Sequence, residues 1–387
     1  MRDSASRTPR LWQAVALLAC ALFLAWVAKF YHPRDGFTAL IAFPQGHYKH
    51  PALAAIPHAQ TAFPYDGQFY AQLALEPLLR DPAIDPALDQ PPYRARRILF
   101  SWTAWLAGLG RPAWIVQAYA LQNVAAWLLL AWSLTRWIPP RSARLVALWA
   151  ACMFSHGLLW SVRFALLDGP SLLLLAWAVM AADAHRLPAP GRRRASTWLL
   201  GSILGVAALG RETNLLGASL LRVPRSRADW LRLAGGMALA VLPLLVWQDY
   251  LWSIYRTTSL AGSNQVTIPV VAWIGSWRDS FALLSDPALR WLGFRTLLVV
   301  AALTAQLTFI ALFRDYGNSW WRLAVVFAAL MLIAGPEVWR GFPGAITRVV
   351  LPLTFGFNIL LASRERRFWH WYLLGNLHLI PAYFIVV

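Results

Sequence analysis

The segment Tyr65-Asp66-Gly67-Gln68-Phe69-Tyr70 sets one carboxylate before a glycine and among aromatic rings. A carboxylate so placed can cap a helix, or it can take a proton from a hydroxyl within hydrogen-bond reach, as a general base does. Downstream, Asp89-Gln90-Pro91-Pro92-Tyr93-Arg94-Ala95-Arg96-Arg97-Ile98-Leu99 carries three arginines into an apolar stretch. Guanidinium forks match phosphate oxygens, so this run can hold a phosphate, whether of a lipid head group or of a bound substrate. Arg163 and Asp168 bracket a short turn before Pro170 and can pair with each other. Arg211 and Glu212 interrupt an apolar run at Leu209-Gly210-Arg211-Glu212-Thr213; charges at membrane depth point to function by default. Arg348 opens a late apolar run after Glu337 and Arg340, where it can serve as an interfacial anchor or meet an anion.

The elements that position these residues follow from composition. Of 387 residues, 59% are hydrophobic and 13% charged, against roughly 25% charged in a soluble chain, and the mean hydropathy is +0.49. Apolar runs recur along the whole length, each near the ~20 residues that cross a hydrocarbon layer as a helix. A soluble globular protein is excluded by this pattern. The net charge of +18 then reflects topology and lipid phosphate rather than nucleic acid, because the arginines sit in short loops between apolar runs. Cys20 and Cys152 both lie inside apolar runs and offer neither a disulfide framework nor a metal cluster. Leu11 to Ala28 follows three arginines and lacks a small-residue cleavage site, which predicts an uncleaved first span.

The expected fold class is all-α, a polytopic membrane protein of about nine spans near 11–30, 113–135, 145–162, 170–184, 233–252, 291–313, 320–335, 347–362 and 368–386. Residues 98–110 are too few to cross and predict an interfacial helix. The run 198–221, broken at Arg211, predicts a re-entrant pair of short helices. With the N-terminus inside, the predicted cytoplasmic segments hold 19 Lys and Arg in 57 residues and the outer segments 14 in 142, as the positive-inside rule requires. The first outer loop, 31–97, carries ten of the 25 prolines and six of the 17 acidic residues. Proline at that density prevents long helices, and a short one is expected at Gly67 to Leu79. The tract Arg192-Arg193-Arg194 is most simply a topology anchor.

In order and side, these features resemble the GT-C glycosyltransferases, the polytopic enzymes that use polyprenyl-phosphate sugars, among them the GPI-anchor mannosyltransferases, the protein O-mannosyltransferases and bacterial proteins that build cell-surface glycopolymers. The likeness rests on Tyr65-Asp66-Gly67-Gln68-Phe69-Tyr70, on Tyr93-Arg94-Ala95-Arg96-Arg97-Ile98-Leu99, on Asp168, on Gly210-Arg211-Glu212-Thr213 and on Arg348. It implies a catalytic module over 1–252, including loop 31–97, and a C-terminal transmembrane module over 253–387. It also implies an active site facing the periplasm or outside of the cytoplasmic (inner) membrane, a polyprenyl-phosphate donor and a glycan or glycolipid acceptor. Asp66 is then the expected base, with Tyr65, Gln68, Tyr93, Arg94, Arg97, Arg163, Asp168, Arg211, Glu212 and Arg348 around the substrates. The adjacent acidic pair that some members carry in the first loop is missing, which leaves the use of a divalent metal open; no other cofactor is expected. A transporter or flippase of a lipid-linked glycan is the alternative, since broken helices with charges at membrane depth are equally typical there. A non-catalytic scaffold would leave Asp66 and the arginines without a task.

Overall fold

The computed structural model describes residues 4–186, 197–221, 224, 226–256, 265–341 and 344–386, and these are predominantly helical. In chain order the helices are α1 Ser4–Ala28, α2 Pro51–Ala54, α3 Gly67–Leu73, α4 Pro91–Ala95, α5 Leu99–Ala107, α6 Pro112–Leu134, α7 Ala143–Met153, α8 His156–Arg163, α9 Asp168–Arg186, α10 Thr197–Gly210, α11 Arg227–Tyr255, α12 Val271–Ser285, α13 Arg290–Leu312, α14 Ser319–Ile333, α15 Pro336–Trp339, α16 Ile346–Val349, α17 Leu351–Ala362, α18 Phe368–Gly375 and α19 Leu379–Val386. A 3₁₀ helix, Glu212–Leu220, follows α10. In the loop after α1, strands β1 (Phe43–Pro44) and β2 (Gln60–Thr61) pair in parallel, Phe43 opposite Gln60. Local signals set many boundaries. Ser142, Ser226 and Asn318 cap α7, α11 and α14 by accepting backbone N–H bonds, and α2, α4 and α15 take a proline in their first turn, where its missing N–H costs nothing.

Among the described residues, four helical stretches are long and apolar enough to cross a membrane: Arg10–Ala28, Pro112–Leu134, Arg227–Tyr255 and Arg290–Leu312. The pair α7 and α8, bent by 46° at Phe154-Ser155, makes a fifth if taken as one span. The remaining expected spans do not meet that test by themselves. The run 347–362 splits at Val350, ahead of Pro352, and 368–386 breaks at Asn376-Leu377-His378. At that second break Asn376 exchanges amide hydrogen bonds with Asn358, which offers its polar atoms partners outside a helix. Helix α12 lies where the sequence suggested loop. Ser276 and Ser280 are buried on it and return their hydroxyls to the carbonyls of Trp273 and Ser276, a local bonding that lets polar residues sit on a packed face. Helix α3 is shorter than expected, ending at Leu73 before Pro77. The Arg192-Arg193-Arg194 tract falls outside the described residues.

The chain packs as two compact units, one of Met1–Leu24, Leu128–Trp160 and Gly262–Val387, the other of Ala25–Trp127 and Ser161–Ala261. Residues 1–24 and 128–160 pack with the C-terminal part, so neither unit is one continuous stretch of chain. In the second unit α10 lies on α11 so closely that a Cβ on Gly201 would come 2.2 Å from Gly236 O, so the two backbones touch through small residues. The five-residue α4 is tied to α11 by Trp247 Nε1, which donates to Ala95 O at 2.8 Å. In the first unit α17 packs against α14 and α7, and α13 against α18.

Candidate functional site

Nine of the ten residues that the sequence places beside Asp66 or around it fall, with Asp66, in the unit of Ala25–Trp127 and Ser161–Ala261; Arg348 belongs to the other unit. Two turns build the site. Asp66 stands just before α3 with helical backbone angles and makes no capping bond through its side chain, so the capping role open to it in the sequence is not the one it takes. Its Oδ1 instead accepts from Arg94 Nη2 at 3.0 Å. Gly67 explains its own type. A Cβ at this position would lie 2.1 Å from Phe164 O, so only glycine lets α3 abut the turn that follows α8. Gly67→Ala is therefore expected to destabilise the protein by about 1–3 kcal/mol, as overpacking against backbone does. Thermal unfolding in detergent measures it, and an unchanged melting temperature would show that the turn can yield.

That second turn is fixed by side chains the sequence reading did not single out. Tyr119 Oη donates to Ala165 O at 3.0 Å and Asn123 Nδ2 to Leu166 O at 2.7 Å. Ser161 Oγ donates to Asn123 Oδ1 at 3.0 Å and accepts from Gly169 N at 2.9 Å. The result holds Asp168 at the start of α9, its side chain only 4% exposed and paired with Arg211. Tyr65 stacks on Phe164 with centroids 4.6 Å apart, joining the two turns. Arg163 does not pair with Asp168. It donates to Ala39 O at 3.1 Å and lies over the rings of Phe30 and Phe164, a cation–π seat.

The arginines in and just after α4 reach three carboxylates. Arg94 binds Asp89 through Nε at 2.8 Å and Nη2 at 2.7 Å while also holding Asp66. Arg97 donates to Glu212 Oε2 at 2.9 Å, to Tyr70 Oη at 3.3 Å and to Tyr93 Oη at 3.1 Å. Arg96 reaches the other oxygen of Glu212 at 3.5 Å. Tyr70 Oη also accepts from Arg94 at 3.5 Å, so the Asp66 and Glu212 groups form one network. Burial opposes the charge of Arg94, yet its hydrogen bond to Asp89 and the influence of Tyr70 and Asp66 outweigh it and raise its pKa. The same holds for Arg97, whose burial is overcome by the Glu212 carboxylate. Both stay cationic at any working pH. Arg211, extended between α10 and the 3₁₀ helix, turns to Asp168 while its neighbour Glu212 turns to Arg97. The two adjacent charges thus serve different partners, as their adjacency in sequence allows.

Within this network Asp66 is the accessible carboxylate on the aromatic turn, with its side chain 41% exposed. Gln68 is buried on α3 and Tyr93 is buried with its ring beneath the guanidiniums of Arg94, Arg96 and Arg97. Tyr93 therefore positions the arginines rather than presenting itself. Asp89, Tyr70 and Ser161 also belong to the network, although the sequence does not single them out. The one signal for Asp89 was its place five residues before Arg94 across Pro91-Pro92, a spacing that folds the chain back on itself. No group of three His, Cys, Asp or Glu disposed to hold a metal ion occurs among the described residues. Comparisons of this chain with protein-family models, with curated proteins and with solved structures find no match.

Proposed function

We propose that this protein is a membrane glycosyltransferase. In this reading it moves a sugar, a hexose such as mannose, from a polyprenyl-phosphate donor to a cell-surface glycan or lipid-linked acceptor on the outer face of the cytoplasmic membrane. The observation that carries the reading is Asp66: an accessible carboxylate held by Arg94 inside a network of arginines, on the loop that the charge pattern assigns to the outer side. In the reaction, the acceptor oxygen bonds to the anomeric carbon while its proton passes to Asp66. The bond from that carbon to the phosphate oxygen breaks, and the polyprenyl phosphate leaves with the electron pair. One carboxylate acting as base with direct attack gives inversion; a covalent route needs a second, closely placed carboxylate acting as nucleophile. Arg94, Arg97, Arg163 and Arg211 are the candidates to meet the donor phosphate, stabilising its charge as it leaves. The ion pairs fix the first, second and fourth of these in orientation before substrate arrives, so little reorganisation is needed at the moment of reaction.

The reading includes a multi-pass arrangement of about nine crossings with the N-terminus inside. In a Cys20→Ser, Cys152→Ser background, a cysteine replacing Gln60 is expected to react with an impermeant thiol reagent in intact spheroplasts, and one replacing Arg141 is not. The opposite pattern would invert the topology.

The reading as a whole is tested by intact-lipid mass spectrometry of the purified protein followed by a transfer assay. A co-purified polyprenyl-phosphate hexose that is consumed, with stoichiometric glycosylated acceptor, is the expected result. Movement of the intact lipid-linked glycan between leaflets of a vesicle, without cleavage of the phosphate–sugar bond, would establish the transporter reading instead.

A further inference from the structure

After α3 the chain turns into a loop, residues 75–81, that runs beside α5 in the unit of Ala25–Trp127 and Ser161–Ala261. Trp102, Trp105 and Leu106 stand at positions i, i+3 and i+4 of α5 and so share one face of it. Between that face and the loop lies a cavity of about 680 Å³, within the roughly 300–1,000 Å³ of small-molecule sites. Its walls are fixed from two helices. Trp102 Nε1 donates to Pro77 O at 3.2 Å, and Tyr250 Oη, from α11, donates to Leu78 O. Trp247, also on α11, meets the Trp102 ring edge-on at 4.9 Å. Leu79 takes a left-handed backbone, φ +55°, which is uncommon for any residue but glycine. That turn buries Leu79 in the core and leaves Leu78 exposed beside the cavity. Strain of this kind persists where the surroundings over-determine it, and ligand clamps are among such places.

The same bonds decide what the cavity accepts. The indole N–H of Trp102 is spent on Pro77 O, so its ring offers only hydrocarbon, as do Leu75, Leu78 and Leu106. Charge enters the lining through Glu76, Arg80 and Asp81. Glu76 Oε1 accepts the backbone N–H of Arg80 at 3.2 Å, and among the described residues the exposed Arg80 guanidinium makes no ion pair. Asp81 Oδ1 accepts from Ala83 N at 2.9 Å, while Oδ2 faces His50 Nε2 at 3.4 Å. Carboxylate oxygens carry further lone pairs, so both acids can accept more. The rim therefore sets one cation between two anions around an apolar slot. An amphiphile with only a phosphate would meet Arg80 but be repelled by Glu76 and Asp81. A head group with a phosphate and an ammonium fits all three: the guanidinium takes the phosphate and the carboxylates accept from the ammonium. Four helical stretches of this chain are long and apolar enough to cross a membrane, so the hydrocarbon at hand is the acyl chain of a lipid.

We propose that this slot binds a zwitterionic phospholipid of the phosphoethanolamine type, with an acyl chain against α5 and the head group on Glu76, Arg80 and Asp81. None of these residues belongs to the network of Asp66 and Glu212, so the site goes beyond the sugar-transfer reading and stands without it.

The test uses the purified, delipidated full chain in a neutral maltoside detergent. Native mass spectrometry follows titration with dioleoyl phosphatidylethanolamine, dioleoyl phosphatidylglycerol and farnesyl phosphate. A phosphatidylethanolamine with a diazirine in one acyl chain then maps the contact after photolysis. Saturable retention of phosphatidylethanolamine is expected, at least ~10-fold tighter than either anionic amphiphile, with adducts on 75–81 or 102–106. Arg80→Glu reverses the charge that meets the phosphate, and Leu106→Glu, at a position 62% exposed, sets a carboxylate in the slot. Each should weaken retention by at least ~10-fold. Arg111→Gln, at an exposed position of the same unit outside the slot, should leave it unchanged. Equal retention of the three amphiphiles, adducts elsewhere, or folded variants that bind like wild type would overturn the proposal. Tighter retention of farnesyl phosphate would also overturn it and give the slot to a polyprenyl phosphate. The wild-type titration and adduct map decide the matter even where a variant fails to fold. Because no sugar transfer is measured, the outcome is independent of whether Asp66 acts as a base.

Discussion

Replacing Asp66 by Asn is expected to lower sugar transfer by at least ~10²-fold, the scale typical of a lost general base, while donor binding and thermal stability stay near wild type. Asn keeps the size of the side chain and can still accept from Arg94 through its amide oxygen, but it cannot take the acceptor proton. A carboxylate is a weak base at neutral pH. That weakness is tolerable, because the hydroxyl gives up its proton only as its oxygen bonds to the anomeric carbon, where position matters more than basicity. Steady-state transfer by purified wild type and Asp66→Asn decides the point. A variant working at near wild-type rate would remove Asp66 from the chemistry and shift weight to Asp89, the other accessible carboxylate on Arg94.

Arg211→Met should destabilise the protein by about 3–5 kcal/mol, because it leaves the buried Asp168 carboxylate without its cation. Removing both charges, as Arg211→Met with Asp168→Leu, is expected to recover most of that loss, since a buried ion pair replaced by apolar side chains is often neutral. Thermal and denaturant unfolding of the two single variants and the double form the cycle. Additive losses would mean that the pair is not what holds the turn before α9. Asp168→Asn, by contrast, should change turnover far less than Asp66→Asn, because Asp168 is enclosed and acts through Arg211.

Much of the helical architecture was legible in the sequence, because length and hydropathy are read directly from the chain. The stretches at 112–134 and 290–312 fall within one residue of expectation, 227–255 encloses the expected 233–252, and the interruption at Arg211 is where it was expected. Failures occurred where a polar residue acts as an apolar one or a proline intervenes. The serines of α12 hide their hydroxyls in their own helix, so the run looked like loop, while Pro352 and the Asn376–Asn358 pair break runs that hydropathy alone draws as continuous. At the site, residue types pointed to Asp66, Arg94, Arg97, Asp168, Arg211 and Glu212, but pairing could not be read. Arg163 lies five residues from Asp168 and bonds to Ala39, whereas Arg211, 43 residues away, takes Asp168. Partner choice is set by the folding of the turn through Ser161, Asn123 and Tyr119, none of which announces itself by type.

The bond between Arg97 and Glu212 joins positions 115 residues apart. A chain is synthesised from its N-terminus at about 5–20 residues per second, so the arginines in and just after α4 emerge several seconds to tens of seconds before the carboxylate that receives two of them. During that interval Arg94 can already settle on Asp66 and Asp89, but Arg96 and Arg97 have no Glu212 to meet. Biogenesis therefore imposes an order: the half of the network around Asp66 can mature early, and the half around Glu212 closes only once the segment after α10 has been delivered.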